Sequence, residues 1–384
     1  MITHFGLEDR HREHRERVRS FVEDEIEPVV EDYERRGEFP LDVVDALGEA
    51  GLYGITIPEA YGGAGLDFRS FVLTVEELAR VWKIPAGVVS LTCSLVSNTL
   101  VEHGDERQKR EWLKPIFAEN QVTALALTEP QAGSDAASIE TRATRDGDDL
   151  MLDGHKVWCS HGAVADLILA VVRTEGDGDY DEVTMVGIPD PASVDGLEFV
   201  RDIPCMEGEA VVETEIEFAD ARIPAYNVVG KPGNGFRMVL GALDLGRIGA
   251  AAQGVGVAQG AFDAAVDFAD EREQFGQSIR EFQGVSFKLA DMAMNIEAAR
   301  LLTLWAASRR DRGHNVTQEA SMAKTFAADV AMEATTEAVQ VHGSRGYSKD
   351  YPVERYMREA KGIQIYEGTS EVNRQLIADN LYDS

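Results

Sequence analysis

The chain has 384 residues, 44% of them hydrophobic, which is too long for one ordinary core and points to two or three domains. Its 68 acidic residues outnumber 37 basic ones, giving a net charge of −31. A surface of that sign repels nucleic acid and anionic membranes, so neither is an expected partner.

No stretch approaches the roughly 20 apolar residues that span a bilayer. The N-terminus is charged and lacks an apolar h-region, so no signal peptide and a cytoplasmic location are expected. Cys93, Cys159 and Cys205 form an odd, sparse set that suits a reducing compartment rather than a disulfide framework. No Cys/His pair has zinc spacing, and no metal is expected. His11 and His14, three apart in a charged helical stretch, read as a solvated face. Only 9 of the basic residues are Lys. Acidic excess with scarce Lys suits a high-salt cytoplasm, where salt screens self-repulsion; ordinary acidic drift yields the same composition.

In chain order, residues 7–30 read as a charged amphipathic helix. Another opens at Phe39-Pro40-Leu41, with Pro where its missing N–H costs little, and ends at Gly51. A turn-rich loop covers 57–65, and helices follow at 68–81, 86–102 and 106–119. The middle one is apolar on most faces and is expected to be buried. Strands are predicted at 122–127, 150–152, 167–173, 183–188, 197–200 and 211–218, with hairpin turns at 146–148 and 177–179. From about residue 234 the helical period returns: 236–273, 282–312, 318–342, 352–361 and 370–381. Several of these have the length of bundle helices. The layout is α, then β, then α, with domains expected at 1–120, 121–232 and 233–384.

Three stretches carry candidate chemistry. The first is Gly362-Ile363-Gln364-Ile365-Tyr366-Glu367-Gly368-Thr369-Ser370-Glu371. Glu367 falls on a short connection between two helices, after apolar neighbours that raise a carboxylate pKa toward a general base's range. Gly368 permits close backbone approach, and Thr369 or Ser370 can cap the last helix. A surface Glu in a turn is the plainer reading. The second is Leu125-Ala126-Leu127-Thr128-Glu129-Pro130-Gln131-Ala132-Gly133-Ser134-Asp135, a strand entering a loop of hydroxyls and backbone N–H groups. Such a loop binds a flat heterocycle or phosphates, or is a simple β-turn. The third, Val157-Trp158-Cys159-Ser160, offers an indole for a cofactor ring or for the core.

In this order and spacing the stretches resemble the signatures of the acyl-CoA dehydrogenases: residues 124–135 the first, and residues 340–371 the second. Leu243-Asp244-Leu245-Gly246-Arg247-Ile248-Gly249, Arg272-Glu273-Gln274-Phe275-Gly276 and Phe282-Gln283 also resemble the family, and the first of these is similar to its short-chain (butyryl-CoA dehydrogenase-like) members. The resemblance covers essentially the whole chain. It implies an α+β fold with a helical N-terminal domain, a middle β-domain and a C-terminal four-helix bundle, assembled as a homotetramer, a dimer of dimers. It implies FAD between the β-domain and the C-terminal bundle. By the same resemblance Leu125, Leu127, Thr128, Gly133 and Ser134 line the flavin, Trp158 and Ser160 flank its ring, Thr369 and Glu371 meet the nucleotide, and Gly343 is a further cofactor contact. Arg272, Phe275, Gln283 and Gln340 would reach the dinucleotide of a neighbouring subunit. Ser134, Asp244, Arg247, Tyr366 and Gly368 match substrate contacts; a helix ion pair is the plainer reading of Asp244 and Arg247.

The chemistry implied is α-proton removal from an acyl-CoA by Glu367 with β-hydride transfer to flavin N5, giving a trans-2-enoyl-CoA. An electron-transfer flavoprotein would then reoxidise the flavin. Some branched-chain relatives carry the base where this chain has Gly246, so no rival carboxylate stands there. Departures from the family pattern are Ser344 for a common Gly, Gln131 for another, and Cys159 for a common Ile. His342 is expected to be packed rather than catalytic. A same-fold flavoprotein that uses oxygen, as oxidase or monooxygenase, and a non-catalytic acyl-CoA-binding protein are the alternatives.

Overall fold

The computed structural model describes residues 6–175 and 183–382. The helices are α1 (Asp9–Phe21), α2 (Val30–Arg36), α3 (Leu41–Glu49), α4 (Phe68–Val81), α5 (Lys83–Ser90), α6 (Asn98–His103), α7 (Glu106–Gln108) and α8 (Lys114–Ala118), then α9 (Gly235–Glu271), α10 (Gln283–Asp311), α11 (Thr317–His342), α12 (Val353–Ile363) and α13 (Ser370–Asn380). Between α8 and α9 lie β1 (Thr123–Ala126), β2 (Arg142–Asp146), β3 (Asp149–Ser160), β4 (Leu167–Glu175), β5 (Val183–Pro189), β6 (Leu197–Asp202), β7 (Glu213–Pro224) and β8 (Val228–Val229). A small hairpin, β9 (Glu273–Gln274) and β10 (Gln277–Ser278), separates α9 from α10. The chain divides into two compact units: Met1–Val30, Asp67–Gly87 and Arg247–Ser384 form one, Glu31–Leu66 and Val88–Gly246 the other.

In the first unit α4 is buried along nearly its whole length and is opened by Asp67, whose carboxylate accepts from the Ser70 N–H at 2.9 Å. Glycines let α9 approach its neighbours closely. A Cβ at Gly256 would lie 2.4 Å from the Glu76 carbonyl of α4, and one at Gly260 2.1 Å from that of Arg80. His11 and His14 are not on a solvated face. Both are buried in this unit, with His11 Nε2 2.9 Å from Asp67 Oδ2 and His14 Nε2 2.8 Å from Thr74 Oγ1. His11 thus meets the N-cap residue of α4 and His14 the helix itself, so the charged sequence around them hid a buried stripe. Burial pushes His14 down to about 4.

The second unit is built on a sheet ordered β6-β7-β3-β2-β4-β5-β8, with β1 added parallel to β4. Its apolar core includes Leu152, Ile168, Val172, Val186, Ile216 and Phe218. The expected turn at 146–148 is present, joining β2 to β3 with Asp146 opposite Asp149. The one at 177–179 lies outside the described residues.

Two expectations on extent are corrected, one strand was not expected, and one reading of apolar length is revised. The N-terminal helical run does not stop at residue 30; a π turn over Val22–Ile26 and a 3-10 turn over Glu27–Val29 carry it past Pro28 into α2. These looser and tighter turns accommodate a residue without a backbone donor. Residues 150–152 belong to the much longer β3, which continues through Gly154 at a bulge where a Cβ would lie 2.6 Å from Thr141 Cα. β2 was missed because four of its five residues are exposed and polar. The helical run Lys83–His103 is, by length and composition, apolar enough to cross a membrane, contrary to the sequence reading. It is 83% buried over its apolar window, so packing within the protein covers that surface.

Candidate active site

In the first unit Glu367 sits between α12 and α13. The N–H groups of Ile365 and Tyr366 both reach the Gly362 carbonyl, at 2.9 and 3.2 Å, which closes the end of α12. Glu367 and Gly368 then both take positive φ, 55° and 83°. That conformation is ordinary for Gly and strained for Glu, and such strain persists only where the surroundings over-determine it. Here three successive carbonyls are tied down. Asn373 Nδ2, wholly buried on α13, reaches the carbonyls of Glu367, Gly368 and Thr369 at 3.3, 2.8 and 3.1 Å. Arg247 Nε on α9 donates to the Glu367 carbonyl at 3.2 Å. Lys324 Nζ on α11 donates to the Gly368 carbonyl at 2.5 Å. Thr369 caps α13, its hydroxyl oxygen accepting from the Val372 N–H at 3.3 Å.

The Glu367 carboxylate is left unpaired. The residue as a whole is half-buried, yet Oε2 is shut off from solvent and has no hydrogen-bond partner among the described residues. Burial pushes Glu367 up to about 7, with the charges of Arg247 and Lys324 pulling the other way. A carboxylate of that acidity is partly ionised at neutral pH and can accept a proton. Burial pushes Lys324 down to about 8, opposed by the Glu367 charge and reinforced by Arg247. Tyr366 Oη donates to Gln253 Oε1 at 3.0 Å, and the Lys83 ammonium stands 5.1 Å from its ring centroid. Glu371 lies in the first turn of α13, where a backbone N–H and the Thr369 hydroxyl hold its carboxyl below the usual range.

Arg272, Phe275, Gln283, Gln340 and Gly343 belong to the same unit but not to this loop. Phe275 (φ 54°) and Gly276 (φ 82°) form the turn of the β9–β10 hairpin, and Phe275 is 95% exposed. Gln283 opens α10, Gln340 lies in the last turn of α11, and Gly343 caps α11 with φ 61°. At 1.5 Å per residue, Gln340 is about 24 Å along α11 from Lys324. His342 is packed as expected: it stacks on Phe268, with ring centroids 4.2 Å apart, and its Nδ1 lies 2.8 Å from the Ala338 carbonyl.

In the second unit the loop after β1 is anchored by a buried ion pair. Lys156 Nζ lies 2.7 Å from Glu129 Oε1 and donates to the Leu127 carbonyl at 2.9 Å. Glu129 also accepts from the N–H groups of Glu140 and Thr141, at 2.5 and 2.9 Å, and from Gln131 Nε2 at 2.6 Å. Burial works against ionisation of Glu129, but Lys156 and these donors hold it down to about 2. The Val157 N–H donates to the Thr128 carbonyl at 2.9 Å, seating the loop beside β3. There a register shift between Lys156 and Cys159 leaves Trp158 at φ 57° and 53% exposed. Ser160 Oγ donates to Glu213 Oε1 at 2.8 Å. Leu125, Leu127 and Thr128 are half-buried, Gly133 and Ser134 exposed. Cys159 is buried and its thiol is pushed up by burial, which suits an inert packing residue. Asp244 is half-buried on α9.

Sequence reasoning missed Lys324, Asn373, Glu129 and Lys156 as site-building residues. The available signal was a lone Lys within the Ala-rich 320–331 segment and another inside a strand, in a chain with nine lysines.

Comparison with known proteins matches residues 8–120, 124–221 and 233–382 to the N-terminal, middle and C-terminal domains of acyl-CoA dehydrogenase. The chain is 39% identical to a short-chain-specific acyl-CoA dehydrogenase of Clostridium acetobutylicum, covering 96% of this chain and 97% of that one. The butyryl-CoA dehydrogenase structure from Megasphaera elsdenii superposes with a TM-score of 0.93 at 38% identity, over 99% of this chain and 100% of the other. A chain in a structure described as the electron transferring flavoprotein of Acidaminococcus fermentans gives a TM-score of 0.94 at 40% identity, with full coverage of both.

The fold and site define an oxidoreductase of the CH–CH group, with helical N-terminal and C-terminal domains and a middle β-domain. The chain belongs to the acyl-CoA dehydrogenase family, whose members are FAD flavoproteins. The second unit fits that cofactor: an exposed indole is offered from a strained bulge beside a hydroxyl-bearing loop, and at Gly133 an added Cβ would meet nothing within 4 Å.

Proposed function

We propose that this enzyme oxidises a short or short-branched acyl-CoA to the trans-2-enoyl-CoA, with Glu367 as the base that removes the α-proton. The observation that carries the reading is the shielded, unpaired Glu367 carboxylate on a turn whose Glu367, Gly368 and Thr369 carbonyls are restrained. An α C–H of a thioester is a weak acid, so its base works best with a pKa near neutrality and its enolate needs hydrogen-bond donors at the oxygen. The Glu367 N–H has no partner among the described residues and is available as one such donor. When bound, FAD would supply the two-electron oxidant that takes up the β-hydride. Leu125, Leu127, Thr128, Gly133, Ser134, Trp158 and Ser160 hold the flavin, and Thr369 and Glu371 its nucleotide. Ser134, Asp244, Arg247, Tyr366 and Gly368 receive the acyl-CoA.

The short-chain assignment is supported by the named relatives from Clostridium acetobutylicum and Megasphaera elsdenii. An electron-transfer flavoprotein as acceptor is supported by the Acidaminococcus fermentans structure. Exposure of Phe275, Gln283 and Gln340 supports their reaching a neighbouring subunit's dinucleotide in a homotetramer, and Gly343, also exposed, is a further cofactor contact. Domains at 1–120, 121–232 and 233–384, a cytoplasmic location and a high-salt source complete the proposal.

The test is the anaerobic visible spectrum of the purified protein before and after butyryl-CoA. Bleaching of the flavin band supports the reading. A flavin that bleaches only with longer or aromatic acyl-CoAs overturns the chain length alone. Glu367→Gln should keep flavin and ligand binding and lose about 10²- to 10⁴-fold in turnover, the usual contribution of a general base. Near-normal turnover in that variant overturns the base assignment.

A further inference from the structure

We propose that Lys324 is a positioning residue for the base: it fixes the turn carrying Glu367 through the Gly368 carbonyl, and presents its charge to the carboxylate without bridging it. The inference rests on the reading of Glu367 as the base.

Burying an ammonium is unfavourable, and the usual compensation is a carboxylate partner. Lys324 is fully buried and has an unpaired carboxylate on the residue next to its target. Yet its hydrogen-bond partner among the described residues is a main-chain carbonyl. Arg247, the other cation beside Glu367, likewise donates to a carbonyl of this turn. A direct bridge would have stabilised the ionised carboxylate and weakened it as a base. Directing the cation to the carbonyl holds the turn while leaving the carboxylate free for a proton. Asn373 already donates to the same Gly368 carbonyl at 2.8 Å, so a neutral donor is in place and the buried charge must act beyond simple satisfaction of that carbonyl.

The charged groups around the base come from four elements. They are Arg247 on α9, Lys324 and Asp329 on α11, Glu371 on α13, and Lys83 of α5 above the Tyr366 ring. Asp329 is engaged by Gln364 Nε2 at 2.8 Å and by an Arg374 nitrogen at 2.6 Å. Lys324 and Arg247 are the two whose charges act on Glu367, both lowering its proton affinity.

The experiment compares Lys324→Met and Lys324→Gln in the flavin-loaded enzyme, reading the rate of flavin bleaching by butyryl-CoA from below to above neutral pH. The Gln variant retains a neutral donor; the Met variant retains neither donor nor charge. Both should move the acid limb of the profile to higher pH, because a cation that lowers proton affinity at Glu367 is gone. The Met variant should also lose about 10- to 100-fold in plateau rate, the penalty of misplacing a reacting group, while the Gln variant stays within about fivefold of the parent. An unmoved acid limb in the Gln variant overturns the electrostatic half of the proposal, and parent-like plateau rates in both variants overturn the positioning half. Should the Met variant fail to retain flavin, the Gln acid limb decides the electrostatic half and Lys324→Ala replaces the Met variant in the plateau comparison that decides the positioning half. Glu367→Gln run alongside separates the two readings. If that variant still bleaches the flavin, the base assignment has failed; if it is dead while both Lys324 variants behave as the parent, only the present inference has.

Discussion

Lys156 Nζ and Glu129 Oε1 meet at 2.7 Å with both side chains sealed inside the second unit. The pair joins β3 to the loop that precedes Gly133 and Ser134, so a charge–charge contact sets the course of a backbone proposed to bind flavin. Lys156→Met leaves Glu129 buried without its cation and should destabilise the protein by about 3–5 kcal/mol. Urea unfolding gives the stability, and flavin retention on dilution should fall with it. A stability change under 1 kcal/mol, well short of that scale, contradicts this account. Because Glu129 is held down to about 2, its contribution is complete above the ordinary carboxylate range and fades as pH falls through 2.

Activity should depend on pH in the direction set by Glu367. Its pKa is raised to about 7, and the base acts in its ionised form. The acid limb of kcat/KM should therefore lie near 7, with rates rising as pH increases through it. The linkage to stability has the opposite sign: the folded state holds this proton more tightly than the unfolded chain, so the associated stability is full below the ordinary carboxylate pKa and lost as pH rises through 7. An acid limb near 4.5, the ordinary value, would mean an exposed carboxylate.

Gly368 has φ 83°, and a Cβ there would stand 3.2 Å from Asn373 Nδ2. Gly368→Ala should introduce about 1–2 kcal/mol of left-handed strain and press on the amide that holds the turn. Turnover should fall more than global stability, because the displaced atoms adjoin Glu367, the proposed base. Parallel rate and melting measurements check this; a full-rate variant would show the turn tolerant.

The net charge of −31 predicts a salt requirement. Screening weakens self-repulsion, so the melting temperature should rise from low salt to molar KCl. Equal melting temperatures at both extremes would contradict a high-salt origin.

The α, β, α order was legible because apolar periodicity survives in single elements such as α4, whose observed bounds equal the expected ones. Glu367 could be singled out as a candidate because an acid followed by Gly and a capping hydroxyl is a local pattern, and the family resemblance set it above the plainer reading of a surface turn. The residues that restrain it were not. Lys324 comes 43 positions earlier on another helix, and nothing local says which carbonyl its ammonium will meet. Glu129 lay within a noted loop, but its partner is 27 residues away across a strand pairing. His11 and His14 misled for the same reason: their partners Asp67 and Thr74 are remote in sequence.

Along α9 the Cβ positions of Gly254, Gly256 and Gly260 would fall 3.0, 2.4 and 2.1 Å from the carbonyls of Ala327, Glu76 and Arg80. Backbone thus rests on backbone, with no compressible side chain between, on the helix that carries Arg247 to the Glu367 carbonyl. Such a seam resists sliding or rotation by fractions of a turn. Diversification of substrate preference on this scaffold would then proceed by exchanging individual lining side chains around an immobile axle, and laboratory evolution aimed at new acyl groups should leave these three glycines untouched.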